Sequence, residues 1–257
     1  MSTFRIATFV NDRALYEGMR STFEAAGFRE PLARYTIEQG EPYAAITRLG
    51  QSKEPYVLLV HQDVRCDLCD TADALQRRLA ELTALDPTWA IAGNAGADPK
   101  HMLFLHLDDP NGRWRTHSGL PVSVVSLDEN FLVLRTERLP RCSPNLSGFH
   151  LYGSDACLNA RRDGSRAYVI QFLVTHLSGG NHAGLLPSRL AFAAEWSRHV
   201  IRPQYLRVSW GVIALARPRL LRRALQRREV VDRLVDNRFG SEYVSAPPSL
   251  STQRTVL

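Results

Sequence analysis

Residues 56–66 read YVLLVHQDVRC, and this stretch decides the fold that we expect. Its first five residues are strand-forming and apolar, which is typical of a buried strand in a parallel sheet covered on both faces. The strand runs directly into His61, Gln62 and Asp63. Residues i and i+2 of an extended chain project to the same side, so His61 and Asp63 should point together from the carboxyl end of the strand. Open α/β sheets bind their ligands at that end.

Apolar runs alternate with helical patterns on either side of this stretch. Strands are predicted over 5–10, 32–38, 56–60 and 89–96, and helices over 13–27, 42–50 and 71–86. This order indicates an α/β domain with a mostly parallel central sheet flanked by helices. Further strands are predicted over 101–107, 121–137 and 165–180, with helices over 155–164, 186–201 and 217–235. We therefore expect one domain over 1–200, a basic helical extension over 201–239 and a disordered tail over 240–257.

The charge of the chain leaves two explanations open. Its 257 residues carry a formal net charge of +6, and only Lys53 and Lys100 among the 32 basic residues are lysines. A codon bias toward arginine accounts for this, and so does attraction to an anionic partner. Segment 217–228 carries six arginines interleaved with leucines, which fits an anionic lipid surface, a partner or a solvated helix packed by its leucines. We expect no nucleic-acid partner, because the sequence has no RRM, KH or helix-turn-helix signature.

The remaining sequence features concern location and the cysteines. The amino terminus does not have the pattern of a signal peptide, and no apolar run approaches about 18 residues. These features predict a cytoplasmic protein, with peripheral contact at the inner face of the membrane through 217–228 as one option. Cys66 and Cys69 have C-x-x-C spacing, but Cys142 and Cys157 stand too far apart to form a second tight pair for zinc. We expect reduced thiols.

Several motifs occur together in a recognisable order. YVLLVHQDV, an amphipathic helix and then DPTWAIAGNAG are followed by SLDENFLVLRTE and FHLYGSDACLNARRDGSRAYVIQFLVTHLSGG. Over roughly residues 3–182 this order resembles bacterial glycosyltransferase-like proteins of the GT-A fold, in the family-two group and the branch with a His-Gln-Asp metal motif. The resemblance implies a Rossmann-like GT-A sheet and a nucleotide-sugar donor whose diphosphate is bridged by Mn²⁺ or Mg²⁺.

The resemblance also implies roles for individual residues. Asp63 stands at the metal carboxylate, and His61 and Gln62 stand where ribose or phosphate would be contacted. Asn11 and Asp12 follow the first strand, where they either bind the nucleotide or cap the next helix. His176, before a glycine-rich turn, either completes the metal or diphosphate site or is structural.

The catalytic base is where the sequence departs from the pattern. In the segment YGSDACL, Gly153 falls where the base would be and Asp155 matches a later acid. We predict Asp155 as the base, with charge at a helix amino terminus as its alternative role. Asp128 and Glu129 lie where acceptor-site acids often sit, and a simple turn before a strand explains them equally well.

These expectations combine into one predicted activity. The chain should be a metal-dependent, inverting glycosyltransferase that moves a sugar from a UDP- or GDP-sugar to a saccharide, lipid-linked or protein acceptor. Surface polysaccharide or glycolipid synthesis in bacteria is the setting that the resemblance implies. The alternative is a non-catalytic GT-A-like module for nucleotide binding or scaffolding.

Overall fold

Helices and strands of the computed structural model cover most of the chain, and the structure describes residues 2–116, 119–179, 184–227 and 241–245. The helices are α1 (Arg13–Ala25), α2 (Pro42–Leu49), α3 (Ala72–Leu85), α4 (Tyr152–Arg162), α5 (Leu185–Ser197) and α6 (Arg219–Leu225), with a 3-10 turn at Thr136–Arg138. The strands are β1 (Phe4–Phe9), β2 (Ala33–Glu38), β3 (Tyr56–Val60), β4 (Val64–Arg65), β5 (Trp89–Gly93), β6 (Ala95–Ala97), β7 (Leu103–Leu105), β8 (Leu107–Asp109), β9 (Gly112–Arg115), β10 (Val122–Val124), β11 (Ser126–Leu127), β12 (Phe131–Arg135), β13 (Arg166–Val169), β14 (Val174–His176), β15 (Gln204–Val208), β16 (Gly211–Leu215) and β17 (Glu242–Ser245).

The central sheet has seven strands in the order β10-β13-β5-β12-β3-β1-β2. β1 pairs in parallel with β2 and β3, and β13 pairs in parallel with β5. β12 is antiparallel to both β3 and β5, and β10 is antiparallel to β13. Five of the seven strands therefore run in the same direction. The predicted α/β fold with a mostly parallel central sheet flanked by helices is confirmed.

The apolar run of β3 is buried on both faces of this sheet, as its sequence predicts. Val57 and Leu59 belong to one hydrophobic cluster, formed with α2, α4 and α5. Leu58 and Val60 belong to the opposite cluster, formed with α1 and α3. Because successive side chains of a strand point to opposite faces, a strand between two helical layers needs an uninterrupted apolar sequence.

A second sheet, of five strands, brings a distant strand beside the end of β3. Its order is β17-β9-β8-β14-β4, and β14 pairs antiparallel with β4. The register sets His176 opposite Val64, and the Leu177 amide donates a hydrogen bond of 3.0 Å to the Asp63 carbonyl. This pairing fixes the end of β14 directly alongside the His-Gln-Asp segment.

The region after residue 200 differs from the predicted helical extension. β15 and β16 form an antiparallel hairpin around Ser209 and Trp210, and its Arg207 carbonyl accepts a 2.6 Å hydrogen bond from Ser126 Oγ. The two apolar runs flank a short turn, which is the pattern of a hairpin rather than a helix. Of the helix predicted over 217–235, the described residues up to 227 contain α6, and residues 228–240 lie outside the described part of the chain.

The end of the chain contributes one more strand to the second sheet. Within the segment predicted as a disordered tail, β17 pairs with β9, where the Trp114 and Tyr243 rings lie 5.1 Å apart between centroids. Residues 246–257 lie outside the described part. Among the helices that the structure describes, none has the length and apolar character needed to cross a membrane.

Candidate metal and nucleotide site

Three metal-type side chains converge where β3 and β14 end. One ligand atom from each of His61, Asp63 and His176 lies within 4.8 Å of the other two. The Nε2 of His176 is 3.5 Å from Asp63 Oδ1, and both side chains are largely buried. The side chains of His61 and Asp63 do project together from the end of the strand. In the described part of the chain this is the one group of three or more His, Cys, Asp or Glu side chains with such spacing.

The electrostatics of the cluster favour an anionic Asp63 and a neutral His61. Burial alone would raise the pKa of Asp63, but His176 holds that pKa well below its usual range. Burial would lower the pKa of His176, and the Asp63 carboxylate raises it above its ordinary value. Burial and the neighbouring His176 lower the pKa of His61 to about 4. His61 is therefore neutral at pH 7 and can donate a nitrogen lone pair.

Tyr152, the first residue of α4, sets the orientation of the His61 ring. Its hydroxyl donates a 3.3 Å hydrogen bond to the Glu129 carbonyl and lies 3.0 Å from His61 Nε2. Since that hydroxyl proton is used, Tyr152 accepts from an Nε2–H, which leaves the lone pair of His61 on Nδ1. A hydrogen bond on one ring nitrogen is the usual way in which a metal-binding histidine is oriented.

The residues present fit a divalent cation. The Nε2 of His176 is buried and has no hydrogen-bond partner among the described residues, although it faces the Asp63 carboxylate. An unsatisfied buried nitrogen costs free energy unless something else uses its lone pair or its proton. Two imidazoles and a carboxylate are a donor set that transition-metal ions accept.

The loop before α1 is joined to the same segment through Gln62. The Gln62 Oε1 accepts 3.0 Å hydrogen bonds from the amides of both Asn11 and Asp12, and its Nε2 donates to Asn11 Oδ1. Asp12 itself caps α1, because its Oδ1 accepts from the amides of Ala14 and Leu15. Asn11 and Gln62 lie on the cavity described next, whereas the Asp12 carboxylate is used as the helix cap.

A cavity of about 1020 Å³ opens above these carboxyl ends. The ends of β1, β2 and β3 line one side of it, and the cluster of His61, Asp63 and His176 forms part of its wall. Two partly exposed aromatic rings, Phe149 and Trp210, also line it, and the Phe149 ring lies 5.6 Å from the Phe9 ring at the end of β1. The volume is large enough for a nucleotide with an attached sugar, since small-molecule sites span roughly 300–1,000 Å³.

Asp155, predicted as the catalytic base, does not lie on this cavity. It is fully buried, and its carboxylate accepts from Ser143 N at 2.6 Å, Ser143 Oγ at 2.7 Å and Trp196 Nε1 at 2.8 Å. Asn159 Nδ2 donates a further hydrogen bond at 3.1 Å. Asp155 thus connects α4 to α5 and to the loop that precedes α4. The assignment of Asp155 as base therefore stays a prediction, and its buried position away from the cavity does not support it.

Glu129 is one of the acids that the resemblance places near the acceptor, whereas no sequence pattern indicates a role for Tyr152. Glu129 lines the cavity, and its Oε1 accepts a 3.2 Å hydrogen bond from the Gly153 amide. Burial and the neighbouring Asp128 raise the pKa of Glu129 well above its ordinary value. The signal that points to Glu129 is the glycine at 153 itself, which lets another chain segment approach the start of α4.

The cysteines lie apart from this site and are all free thiols. Burial raises the pKa of Cys66 to about 12, while Cys69 is exposed. The thiols of Cys142 and Cys157 also have raised pKa values because of burial. Thiols with raised pKa values are poor nucleophiles and poor metal ligands at neutral pH.

Two of the solved structures that are similar to this chain are a mannosyltransferase and A197. The mannosyltransferase PcManGT from Pyrobaculum calidifontis, solved in complex with GDP-Man and Mn²⁺, is 12% identical with a TM-score of 0.46. That alignment covers 76% of this chain but only 62% of the mannosyltransferase, which is less than two thirds of its length. A197 from STIV is 11% identical with a TM-score of 0.39, over 66% of this chain and 82% of A197. Both TM-scores lie below 0.5, so the reaction has to be inferred from the site of this chain.

Comparison with other sequences establishes a family. No family model matches the chain. The protein named "ATP synthase subunits region ORF 6" from Fuscovulum blasticum is 33% identical over 187 residues, which cover 67% of this chain and 74% of that protein. Its name states no activity. At this identity and coverage, the chain belongs to the family of the Fuscovulum blasticum ORF 6 protein.

Proposed function

We propose that this protein is a divalent-metal-dependent glycosyltransferase that uses a nucleotide-sugar donor. The observation that carries the proposal is the cluster of His61, Asp63 and His176 at the carboxyl end of β3, opening onto a cavity of about 1020 Å³. The order of motifs that resembles family-two glycosyltransferases supports the same reaction. Sugar transfer is by displacement with inversion at the anomeric carbon.

The three clustered side chains would hold the metal ion. Mg²⁺ prefers an all-oxygen shell and dehydrates reluctantly, whereas a transition ion also accepts imidazole nitrogen. We therefore assign Mn²⁺ in preference to Mg²⁺, with Asp63 as the anionic ligand and the two histidines as neutral ones. When bound, the ion would offset the negative charge that develops on the departing nucleoside diphosphate.

The nucleotide would lie across the ends of β1, β2 and β3. Asn11 and Gln62 present amide groups to the cavity beside the metal cluster, and Glu38, at the end of β2, presents a carboxylate to it. Amide and carboxylate groups of this kind hydrogen-bond ribose hydroxyls and base edges. Asp12 acts on the nucleotide only indirectly, because it holds the start of α1 in place.

The acceptor would enter past Phe149 and Trp210. Aromatic rings at the rim of a cavity offer an apolar face to a sugar ring, which suits a saccharide acceptor. A lipid-linked acceptor is favoured by α6, which exposes Leu220 and Leu221 next to arginines and so presents an apolar and basic surface. A cytoplasmic location with peripheral membrane contact through 217–228 stays a prediction, and residue 228 lies outside the described part.

A non-catalytic nucleotide-binding module is the second candidate. The observation that favours it is that the predicted base Asp155 is buried and bonded away from the cavity. The two candidates differ in turnover, since an enzyme releases nucleoside diphosphate from its donor and a binding module does not.

The experiment that tests the proposal is a thermal-shift panel of UDP, GDP, CMP and ADP, each with and without Mn²⁺. A nucleotide present at about 100 times its dissociation constant stabilises the folded state by roughly 2.7 kcal/mol. We expect a Mn²⁺-dependent shift with one nucleotide that is lost in Asp63→Asn. The matched control is Asp67→Asn, an exposed carboxylate that accepts from Thr175 Oγ1 at 2.8 Å outside the cluster. An equal shift in wild type and Asp63→Asn would contradict the proposed metal site.

A further inference from the structure

The proposed displacement needs a carboxylate on the cavity that Asp155 does not supply. An acceptor hydroxyl becomes a good nucleophile when a positioned base takes its proton in the transition state. Among the described residues, the acidic side chains that line the cavity are Glu38, Asp63, Asp109, Asp128 and Glu129.

Two of these five carboxylates are engaged with groups outside the cluster. Glu38 forms a 2.6 Å ion pair with Arg5. Asp109 closes its own turn, because its Oδ1 accepts from the amides of Asn111 and Gly112 at 2.9 and 3.0 Å. Both carboxylates are thus used in structural contacts of their own.

The two acids closest to the reaction centre also have other roles. Asp63 belongs to the metal cluster. Asp128 accepts from Ser209 Oγ at 2.6 Å and from Asn130 Nδ2 at 2.7 Å. Burial alone would raise the pKa of Asp128, but these hydrogen bonds hold it below the ordinary value. A carboxylate stabilised as an anion in this way has little tendency to accept a proton at neutral pH.

Glu129 differs from the other four in how its carboxylate is held. Its Oε1 accepts from the Gly153 amide at 3.2 Å, and the Leu151 backbone also hydrogen-bonds it. These neutral backbone donors orient the group without neutralising it. Burial and the charge of Asp128 keep the pKa of Glu129 well above its ordinary value, and a raised pKa makes a carboxylate a stronger proton acceptor.

The backbone around Tyr152 is shaped to receive the Glu129 side chain. A Cβ added at Gly153 would lie 2.9 Å from the Leu127 carbonyl oxygen, 3.4 Å from Glu129 Oε1 and 3.5 Å from Glu129 Cγ. Glycine at 153 therefore makes room for the Leu127 carbonyl, and the Glu129 carboxylate lies at van der Waals distance from the same position. Leu151 has a φ of 67°, a left-handed conformation that costs roughly 1 kcal/mol or more for a residue with a Cβ.

The same segment is linked to the metal cluster. The Tyr152 hydroxyl donates to the Glu129 carbonyl at 3.3 Å and contacts His61 Nε2 at 3.0 Å. One tyrosine thus sets the position of Glu129 relative to His61. A base and a leaving-group site must be held at a fixed separation for an in-line displacement.

We propose that Glu129 is the general base of the sugar transfer, with its carboxylate held at the wall of the cavity by the Gly153 amide. This inference rests on the proposed glycosyltransferase function. The acceptor oxygen forms a bond to the anomeric carbon as the bond from that carbon to the diphosphate oxygen breaks. The bonding pair leaves with the nucleoside diphosphate, and the proton of the acceptor hydroxyl passes to a Glu129 carboxylate oxygen.

The test compares Glu129→Gln, Glu129→Asp and Asp155→Asn with wild type. The donor is the UDP- or GDP-sugar whose nucleotide gives the Mn²⁺-dependent shift, water serves as acceptor, and release of nucleoside diphosphate is measured across pH. Glutamine keeps the acceptor atom for the Gly153 amide but cannot take a proton. We expect Glu129→Gln to keep the nucleotide shift and lose turnover by at least about 100-fold, the lower end of general-base contributions.

The other two variants complete the prediction. Glu129→Asp keeps a carboxylate and should retain part of the turnover together with its rise with pH, and Asp155→Asn should retain turnover. The rise with pH reports Glu129 together with the titratable groups that face it, which are Asp128, Tyr152, Cys157 and Tyr43.

Three results would overturn the inference, and they can be told apart. Normal turnover in Glu129→Gln with a lowered melting temperature would show that Glu129 caps α4 and is not the base. Lost turnover in Asp155→Asn with an intact nucleotide shift would return the base to Asp155. A wild-type protein that shows neither a nucleotide shift nor turnover with any donor would contradict the glycosyltransferase proposal itself, and Glu129 as its base with it.

Discussion

Replacing Asp155 by alanine should destabilise the protein because of the contacts that this carboxylate makes. It is fully buried and accepts four hydrogen bonds, from Ser143 N, Ser143 Oγ, Trp196 Nε1 and Asn159 Nδ2, at distances of 2.6 to 3.1 Å. Asp155→Ala leaves these donors without their partner in a site that water does not reach. Leaving one buried donor unsatisfied costs about 1–3 kcal/mol.

The total is smaller than four separate penalties, because the donors share one acceptor group and the Ser143 hydroxyl can rotate. We expect Asp155→Ala to lower the free energy of unfolding by about 3–5 kcal/mol, the range for breaking a buried charged network. For a chain of this size, about 1 kcal/mol shifts the melting temperature by roughly 2–4 °C, so the expected loss is roughly 6–20 °C.

The assay is thermal and urea unfolding of Asp155→Ala beside Asp163→Ala. Asp163 is an exposed residue at the other end of α4, where its removal should change the free energy of unfolding by less than about 0.5 kcal/mol. A melting temperature of Asp155→Ala within about 2 °C of wild type, which corresponds to a loss of about 1 kcal/mol or less, would refute the structural role. If turnover were lost at the same time, the catalytic role predicted from the sequence would be restored.

Three further outcomes follow from the described contacts. Tyr152→Phe removes the partner of His61 Nε2 and should weaken Mn²⁺ binding by roughly 10–100-fold, measured by Mn²⁺ titration with electron paramagnetic resonance; unchanged affinity would exclude His61 as an oriented ligand. Because the pKa of Glu129 is raised in the folded state, its contribution to stability is fully present below the ordinary pKa of glutamate and is lost as pH rises through the folded pKa. The stability of wild type relative to Glu129→Gln should therefore fall with rising pH. Thermal unfolding of both proteins at steps of about one pH unit, between about pH 4 and 9, measures this difference in stability. A difference that does not change with pH would show that the pKa of Glu129 is not raised. Asp12→Ala removes the cap of α1 and should cost about 0.5–2 kcal/mol in urea unfolding, whereas Asp12→Asn should cost little; loss of nucleotide binding in Asp12→Asn would instead make Asp12 a direct nucleotide ligand.

The parts of the fold that local pattern determines could be predicted from the sequence. The apolar run of β3 indicated a strand buried on both faces, and the two-residue periodicity placed His61 and Asp63 on one side of its end. The helices α1 and α3 follow from apolar spacing and from the caps at Asp12 and Thr71. In each case the interactions that define the element lie within a few residues of one another.

The parts that depend on distant packing could not be predicted in the same way. Asp155 and Glu129 are both acids near the start of α4, and the sequence does not show which of them faces the cavity. The direction is set by the left-handed backbone at Leu151 and by the Ser143 and Trp196 contacts that draw Asp155 into the core. The hairpin of β15 and β16 was not predicted, although two apolar runs flank its turn at Ser209 and Trp210.

The central claim is that His61, Asp63 and His176 hold a metal ion against the diphosphate of a nucleotide-sugar. The most direct test is a crystal structure with Mn²⁺ and the nucleotide chosen by the thermal-shift panel, with anomalous scattering recorded at the manganese edge. We predict an anomalous peak in contact with all three side chains and with the diphosphate oxygens. A nucleotide bound in the cavity while the manganese peak lies elsewhere would contradict the claim.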